Sequence, residues 1–287
     1  MTKNIGMSIR TRLLNLSKEE RQDYMKVLVR YLHERLLYRI SVSQYKRHFL
    51  LKGSSLLFAL DGFKARPTID IDLLGEHISN DTGNLKDVFQ KICLIECEED
   101  GVTFDTASIS LEPIAVEKKY PGTCVKVEAH LDTIVQQISI DIGFGDVVTP
   151  YPLTLDYPLL LPDVPAVELY AYSLETLIAE KFHTMVDRDE SNSRMKDFFD
   201  VYQLFTYHDI DTDLLSEAIV STFKNRNTPY RENLALFSER FAEDATRNIQ
   251  WNAFIKKIHW KEQIGFPAVM KCVKENLMAY WNKDLLG

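Results

Sequence analysis

Asp70 and Asp72 lie one residue apart in "RPTIDIDLL", between Ile69, Ile71 and Leu73. At the two-residue period of a strand the carboxylates share one face and the aliphatics the other. Adjacent like charges resist desolvation, so the pattern needs solvent, cationic neighbours or a bound cation. In "VQQISIDIGF" a third carboxylate has the same setting: Ile138, Ile140 and Ile142 face one way, while Ser139, Asp141 and Gly143 face the other. Upstream, "FLLKGSSLLFAL" runs through Lys52, Gly53, Ser54 and Ser55 into a helical stretch. A glycine-serine turn at a helix N-terminus lets backbone N–H groups and a hydroxyl approach phosphate oxygens closely.

Three convergent carboxylates suit one or two Mg2+ ions, which prefer oxygen ligands and complete their octahedra with water and substrate phosphate. Mn2+ would serve as a substitute. The ordered set of Gly-Ser turn, Asp-x-Asp strand and later aspartate predicts metal-dependent nucleotidyl transfer from a nucleoside triphosphate. Arg66, four residues before Asp70, either touches the triphosphate through paired N–H donors or pairs with an aspartate.

A second cluster follows in the C-terminal half. In "SLETLIAEKFHTMVDR" the apolar stripe is Leu174, Leu177, Ile178, Phe182 and Met185, and Lys181 falls on it. A lysine there either meets a phosphate or carboxylate inside, which makes it a candidate for the triphosphate, or snorkels out beside the core. In "RMKDFFDVYQLF", Asp197 and Asp200 are neighbours at helical spacing beside Phe198, Tyr202 and Phe205. They form either a structural ion pair with Lys181, Arg194 or Lys196, or a catalytic acid. His33, His48, His77, His130 and His183 show no ligand-like spacing, and Cys93 and Cys97, four apart on an expected helix over about 83–97, read as packing residues.

The elements that must hold these groups are legible in outline. After an N-cap-like Ser17, Tyr24, Val27, Leu28, Tyr31, Leu32 and Leu36 mark an amphipathic helix. Within it, the basic residues of 30–52 form either a landing strip for a phosphate backbone or a solvated helix face. "SISLEPIAV", "TCVKVEAHL" and "VQQISIDIGF" read as strands, the first two joined by a turn at "KKYPG". The proline-rich stretch from Gly145 to Glu168 reads as a connecting loop, and everything from Ser173 onward as helical. The fold class expected is α+β, a mixed sheet with flanking helices over residues 1–165 followed by an all-helical domain over 166–287.

The chain has 287 residues and a formal charge of −8, from 34 Lys and Arg against 42 Asp and Glu. That balance confines any nucleic-acid contact to a local patch. Four cysteines without CxxC spacing suit free thiols in a reducing compartment. No segment approaches a membrane span or a signal peptide, so a cytoplasmic protein is expected.

The ordered motifs "FLLKGSSLLFAL", "RPTIDIDLL", "ISIDIGFGDVV", "SLETLIAEKFHTMVDRD" and "RMKDFFDVYQL" resemble the AbiEii/AbiGii toxin family of nucleotidyltransferases, in the polymerase-beta-like superfamily. "WNAFIKKI" and "FPAVMKCVKENL" are similar to that family's C-terminal helices. The resemblance implies a nucleotidyltransferase domain with Gly53 and Ser54 on the triphosphate and Asp70 and Asp72 on magnesium. Asp141 fits the third carboxylate by strand order, Lys181 matches the motif lysine, and Asp197 and Asp200 match the last acidic motif. Many relatives carry Gly-Gly where this chain has Gly53-Ser54, which bears on base preference. The family further implies a toxin of a toxin–antitoxin or phage-defence operon that transfers a nucleotide to RNA, with tRNA the foremost acceptor. Its partner would be a cognate antitoxin, such as a DNA-binding repressor. A protein hydroxyl as acceptor and a non-catalytic nucleotide-binding module are the competing readings.

Overall fold

The computed structural model describes residues 4–114 and 122–286. The turn expected at "KKYPG" lies, apart from Gly122, outside them. In chain order the elements are α1 (Ile5–Glu19), α2 (Tyr24–Val42), β1 (Phe49–Leu51), α3 (Gly53–Asp61), β2 (Asp70–Gly75), α4 (Thr82–Cys93), β3 (Val102–Ile114), β4 (Gly122–Leu131), β5 (Ile134–Phe144), β6 (Leu153–Tyr157) and β7 (Val167–Ala171). There follow α5 (Leu174–Arg188), α6 (Met195–Tyr207), α7 (Thr212–Asn225), α8 (Glu239–Ala242), α9 (Ala245–Ile258), α10 (Phe266–Leu277) and α11 (Lys283–Leu286). The chain forms two compact units: residues 1–145 with 153–171, and residues 146–152 with 172–287. The fold is α+β, as the sequence predicts.

The first unit holds a seven-stranded mixed sheet in the order β3-β4-β5-β2-β1-β7-β6. Alternation sets its faces. Ile71 and Leu73 on β2, Val125, Val127 and Ala129 on β4, and Ile138, Ile140 and Ile142 on β5 are all buried. The residues between them form a polar face running across three strands. β2 and β5 are parallel, which brings Asp72 level with Asp141, and β4 is antiparallel to β5, which brings Cys124 level with Asp141.

α2 departs from its expected character. It starts at Tyr24, with Asp23 as N-cap accepting from the Lys26 N–H at 3.1 Å, and Ser17 is a buried residue within α1. Arg30, Glu34, Arg35 and Arg39 are buried along with its leucines. Arg39 forms a bidentate pair with Asp100 and also donates to the Val102 carbonyl at 2.9 Å. The Glu34 carboxylate accepts from the Leu160 N–H at 2.7 Å and lies 2.7 Å from Arg35. For the arginines of α2 both the landing strip and the solvated face are corrected: Arg35 and Arg39 are internal and meet carboxylates and carbonyls, and Arg30 is internal against an aromatic ring. The Arg30 guanidinium lies 3.5 Å from the centre of the Phe58 ring. Burial lowers its pKa to about 10. Arg30→Met should keep the stem's packing but lose the cation–π contact, at about 1–2 kcal/mol in urea denaturation.

Two further expectations are corrected. α4 ends at Cys93, so Cys97 is off the helix, where its thiol donates to Glu99 at 3.4 Å. Glu96, Glu98, Glu99 and Asp100 follow, and a run of negative charge opposes the dipole at a helix C-terminus. The presumed loop between 145 and 168 contains β6 and the start of β7. β6 is an edge strand bounded by Pro152 and Pro158, the place where a sheet tolerates prolines.

The second unit is helical around an aromatic core. Phe198 and Phe266 meet edge to face at 5.3 Å, Phe182 and Phe223 lie 5.5 Å apart, and the buried Trp251 donates to the Ile264 carbonyl at 2.8 Å. "RENLALFSERFAED", which reads as one helix, holds only a single 3-10 turn and the short α8.

Candidate active site

The site in the first unit is built where β1 turns into α3 beside β2. Gly53 opens α3 with a φ of +60°, a conformation that side-chained residues rarely adopt. A Cβ there would stand 2.6 Å from Asp72 Cγ, so only glycine lets the turn approach that carboxylate. Asp72 Oδ2 accepts from the Ser54 N–H and from the Ser54 hydroxyl, each at 2.9 Å. Ser54 Oγ is also 2.9 Å from Thr68 Oγ1. The Ser55 hydroxyl donates to the Asp70 carbonyl at 3.1 Å and accepts from the Asp72 N–H at 3.2 Å. Ser54 and Ser55 thus clamp β2 to the start of α3.

Asp70, Asp72 and Asp141 are half-buried on the polar face. The neighbouring thiol reports their approach. Cys124 is pushed up to about 12 by burial, by its hydrogen bond to Asp141 and by the charges of Asp141 and Asp70. Asp70, Asp72 and Asp141 are thus three carboxylates on adjacent strands with a Cβ-free approach beside one of them; among the described residues they are not a trio within 4.8 Å of one another, but oxygen donors of this kind fit Mg2+. Lys52 stands at the N-cap of α3, its N–H donating to the Asp72 carbonyl at 3.0 Å. Arg66 is half-buried and close enough to Arg30 for their charges to interact.

Gly53→Ala should lower nucleotidyl transfer by about 10²-fold, because it displaces the Asp72 carboxylate by a sizeable fraction of an ångström or more. Single-turnover rates checked beside a thermal melt would separate that loss from misfolding.

In the second unit, Lys181 on α5 is buried, with Nζ 3.2 Å from Asp197 Oδ1 and 2.6 Å from Asp200 Oδ2 on α6. Arg194 Nε is 2.5 Å from Asp197 Oδ2. Burial raises the Asp197 pKa, but the charges of Lys181 and Arg194 outweigh it and hold the carboxyl at about 2. The structure brings Lys181, Asp197 and Asp200 into one ion-paired group. Close by in the fold of this unit, Arg226 pairs with Asp146 at 2.7 Å and Glu180 at 3.4 Å, a network that sequence spacing did not indicate.

Among the described residues, one trio of His, Cys, Asp and Glu has ligand atoms all within 4.8 Å of one another: Asp105, Glu128 and His130, on β3 and β4. Sequence reasoning passed over it: Glu128 and His130 alternate on one strand, but Asp105 joins them only through the pairing of β3 with β4.

Comparison with known proteins then bears on the chemistry. The crystal structure of JHP933 from Helicobacter pylori is 13% identical, covering 83% of this chain and 94% of that one, with a TM-score of 0.44. A second H. pylori structure, whose description proposes a nucleotidyltransferase, is 14% identical, covering 84% and 100%, with a TM-score of 0.43. Likenesses of that size carry no weight here. No curated protein is similar enough to match. Residues 35–271, most of the chain, match the family model described as the nucleotidyl transferase AbiEii toxin of type IV toxin–antitoxin systems. That span includes the Gly53-Ser54 turn, the three strand aspartates and the Lys181 group, and the chain belongs to the AbiEii nucleotidyltransferase toxin family.

Proposed function

We propose that this toxin transfers a nucleoside monophosphate from a nucleoside triphosphate to RNA, with tRNA as the foremost acceptor, in a Mg2+-dependent reaction. The observation that carries the reading is the register of β2 on β5, which sets Asp72 level with Asp141 beside the Gly53 turn. Asp70, Asp72 and Asp141 would hold the ion, which supplies charge stabilisation for the leaving pyrophosphate and lowers the pKa of an attacking hydroxyl. Gly53 and Ser54 line the approach of the triphosphate, and Lys52, Ser55 and Arg66 flank it. In the reaction the acceptor oxygen forms a bond to the α-phosphorus while the bond from that phosphorus to the β-bridging oxygen breaks. Pyrophosphate leaves, and the hydroxyl proton passes to solvent or to a strand carboxylate.

The sheet-bearing unit, residues 1–145 with 153–171, we assign as catalytic, and the helical unit, residues 146–152 with 172–287, as its helical domain, so that β7 falls with the sheet rather than after a boundary at 165. Lys181, which its place on an apolar stripe makes a candidate for the triphosphate and which matches the family's motif lysine, would act with Asp197 and Asp200 as its acidic partners. The family implies a cognate antitoxin and a nucleoside triphosphate substrate. A DNA-binding repressor as that antitoxin and a cytoplasmic site of action complete the reading. Among the described residues no helix is long and apolar enough to cross a membrane.

The test incubates the protein with Mg2+, total cellular RNA and each α-labelled ribonucleoside triphosphate in turn, beside an Asp70→Ala/Asp72→Ala control. Label in a tRNA-sized band, dependent on the aspartates, is the expected result and names the nucleotide. Label on protein would move the acceptor to a protein hydroxyl. Triphosphate binding without any transfer would favour a binding module.

A further inference from the structure

We propose that Asp105, Glu128 and His130 form a second divalent-cation site, built for an ion that accepts imidazole nitrogen. Glu128 and His130 are two residues apart on β4 and so share a face, and Asp105 on β3 is paired directly with Glu128. Their ligand atoms all lie within 4.8 Å of one another. Zn2+ bonds of about 2.0–2.2 Å place neighbouring ligand atoms about 3.5 Å apart, so closure needs a shift of about 1 Å. Asp105, exposed at the strand surface, can supply it by side-chain rotation.

Independent of that geometry, His130, itself half-buried, has an Nε2 sealed from solvent with no hydrogen-bond partner among the described residues. An imidazole nitrogen left so costs stability that a metal bond restores. The local charge agrees: two carboxylates balance a divalent ion, and Lys126, the cation on the same strand face, is committed to Glu112 at 2.6 Å.

The scaffold is pre-set. The register of β3 on β4 shifts between Asp105 and Ser110, a bulge that re-aims side chains. Ser108 pins it, its hydroxyl donating to the Asp105 carbonyl at 2.7 Å and accepting from the Glu128 N–H at 2.8 Å. Asp105 Oδ1 accepts from the Ala107 N–H at 2.9 Å, which leaves a carboxylate with a second oxygen to turn toward an ion. One nitrogen and two carboxylates match Zn2+ with an open position better than Mg2+, which demands oxygen and keeps its water. The site would clip the bulge to β4.

The probe is Zn2+ alone, titrated calorimetrically into the Asp70→Ala/Asp72→Ala chain, in which the strand aspartates of β2 no longer compete. We expect one Zn2+ per chain, a higher melting temperature with the ion, and displacement of the His130 ring signals in NMR spectra. His130→Gln and, separately, Glu128→Gln in that background should weaken uptake on the order of tenfold or more. Stoichiometric uptake unchanged in both variants, or no uptake by the background chain, overturns the proposal. Should His130→Gln fold poorly, Glu128→Gln and Asp105→Asn, both on the strand surface, decide it. Nucleotide transfer is not read in any arm, so failure here leaves the proposed reaction untouched.

Discussion

Asp72→Ala is expected to reduce nucleotide transfer by at least about 10³-fold, equivalent to about 4 kcal/mol of transition-state stabilisation, while the chain stays folded. Two losses combine. The carboxylate level with Asp141 disappears, and with it the oxygen that receives both the Ser54 N–H and the Ser54 hydroxyl. The second loss resembles removal of a helix cap and costs about 1 kcal/mol of stability, small enough for the variant to melt cooperatively. Asp72→Asn separates the terms. Its side-chain oxygen can still accept from Ser54, so stability should return nearly to that of the parent, whereas the lost charge should leave transfer almost as low as in the alanine variant. Measured rates for Asp72→Asn within a factor of a few of the parent would show that Asp72 is a structural anchor for α3 and would remove the charge argument altogether.

The candidate site was legible where its residues obey a local period. Asp70, Asp72 and Asp141 alternate with aliphatic residues, and the same alternation that buries Ile71 and Ile140 leaves the carboxylates on the opposite face. What the period could not supply was the pairing. That Asp72 stands level with Asp141, and Cys124 beyond it, depends on a parallel strand and an antiparallel strand meeting from far along the chain. Asp105 and Glu128 are joined in the same way, across a bulge that no spacing rule anticipates.

The fold was hidden in two places where a local signal pointed the wrong way. The arginines of α2 look like a surface stripe, yet Asp100 and the Val102 carbonyl, more than sixty positions on, take Arg39 into the interior. The prolines around β6 look like a loop, yet an edge strand has one side on which a missing N–H costs nothing. In each case tertiary pairing overrode a correct statement about propensity. The buried position of Lys181, by contrast, is one of the two readings its place on an apolar stripe left open, and Leu177, Ile178, Phe182 and Met185 of that stripe are buried with it.

Lys181→Met should destabilise the chain by about 3–5 kcal/mol, a large share of the stability of an ordinary domain. Methionine fills much of the same volume, so the loss is electrostatic: Asp200 loses an ammonium at 2.6 Å and Asp197 one at 3.2 Å, both in places almost closed to water. The pH dependence has a fixed sign. The folded Asp197 carboxyl, held at about 2 against its ordinary 3.8, contributes stability that is present above the ordinary value and lost as pH falls through about 2. Lys181→Met raises that folded value, so acid unfolding should begin at higher pH than in the parent. Lys181→Met/Asp200→Asn removes one buried charge of each sign and should recover a measurable part of the lost stability in urea denaturation. Activity then distinguishes the roles of the lysine. If the double variant is stable but still inactive, the Lys181–Asp200 pair acts on the reaction; if transfer returns with stability, the work of the pair is confined to holding α5 against α6.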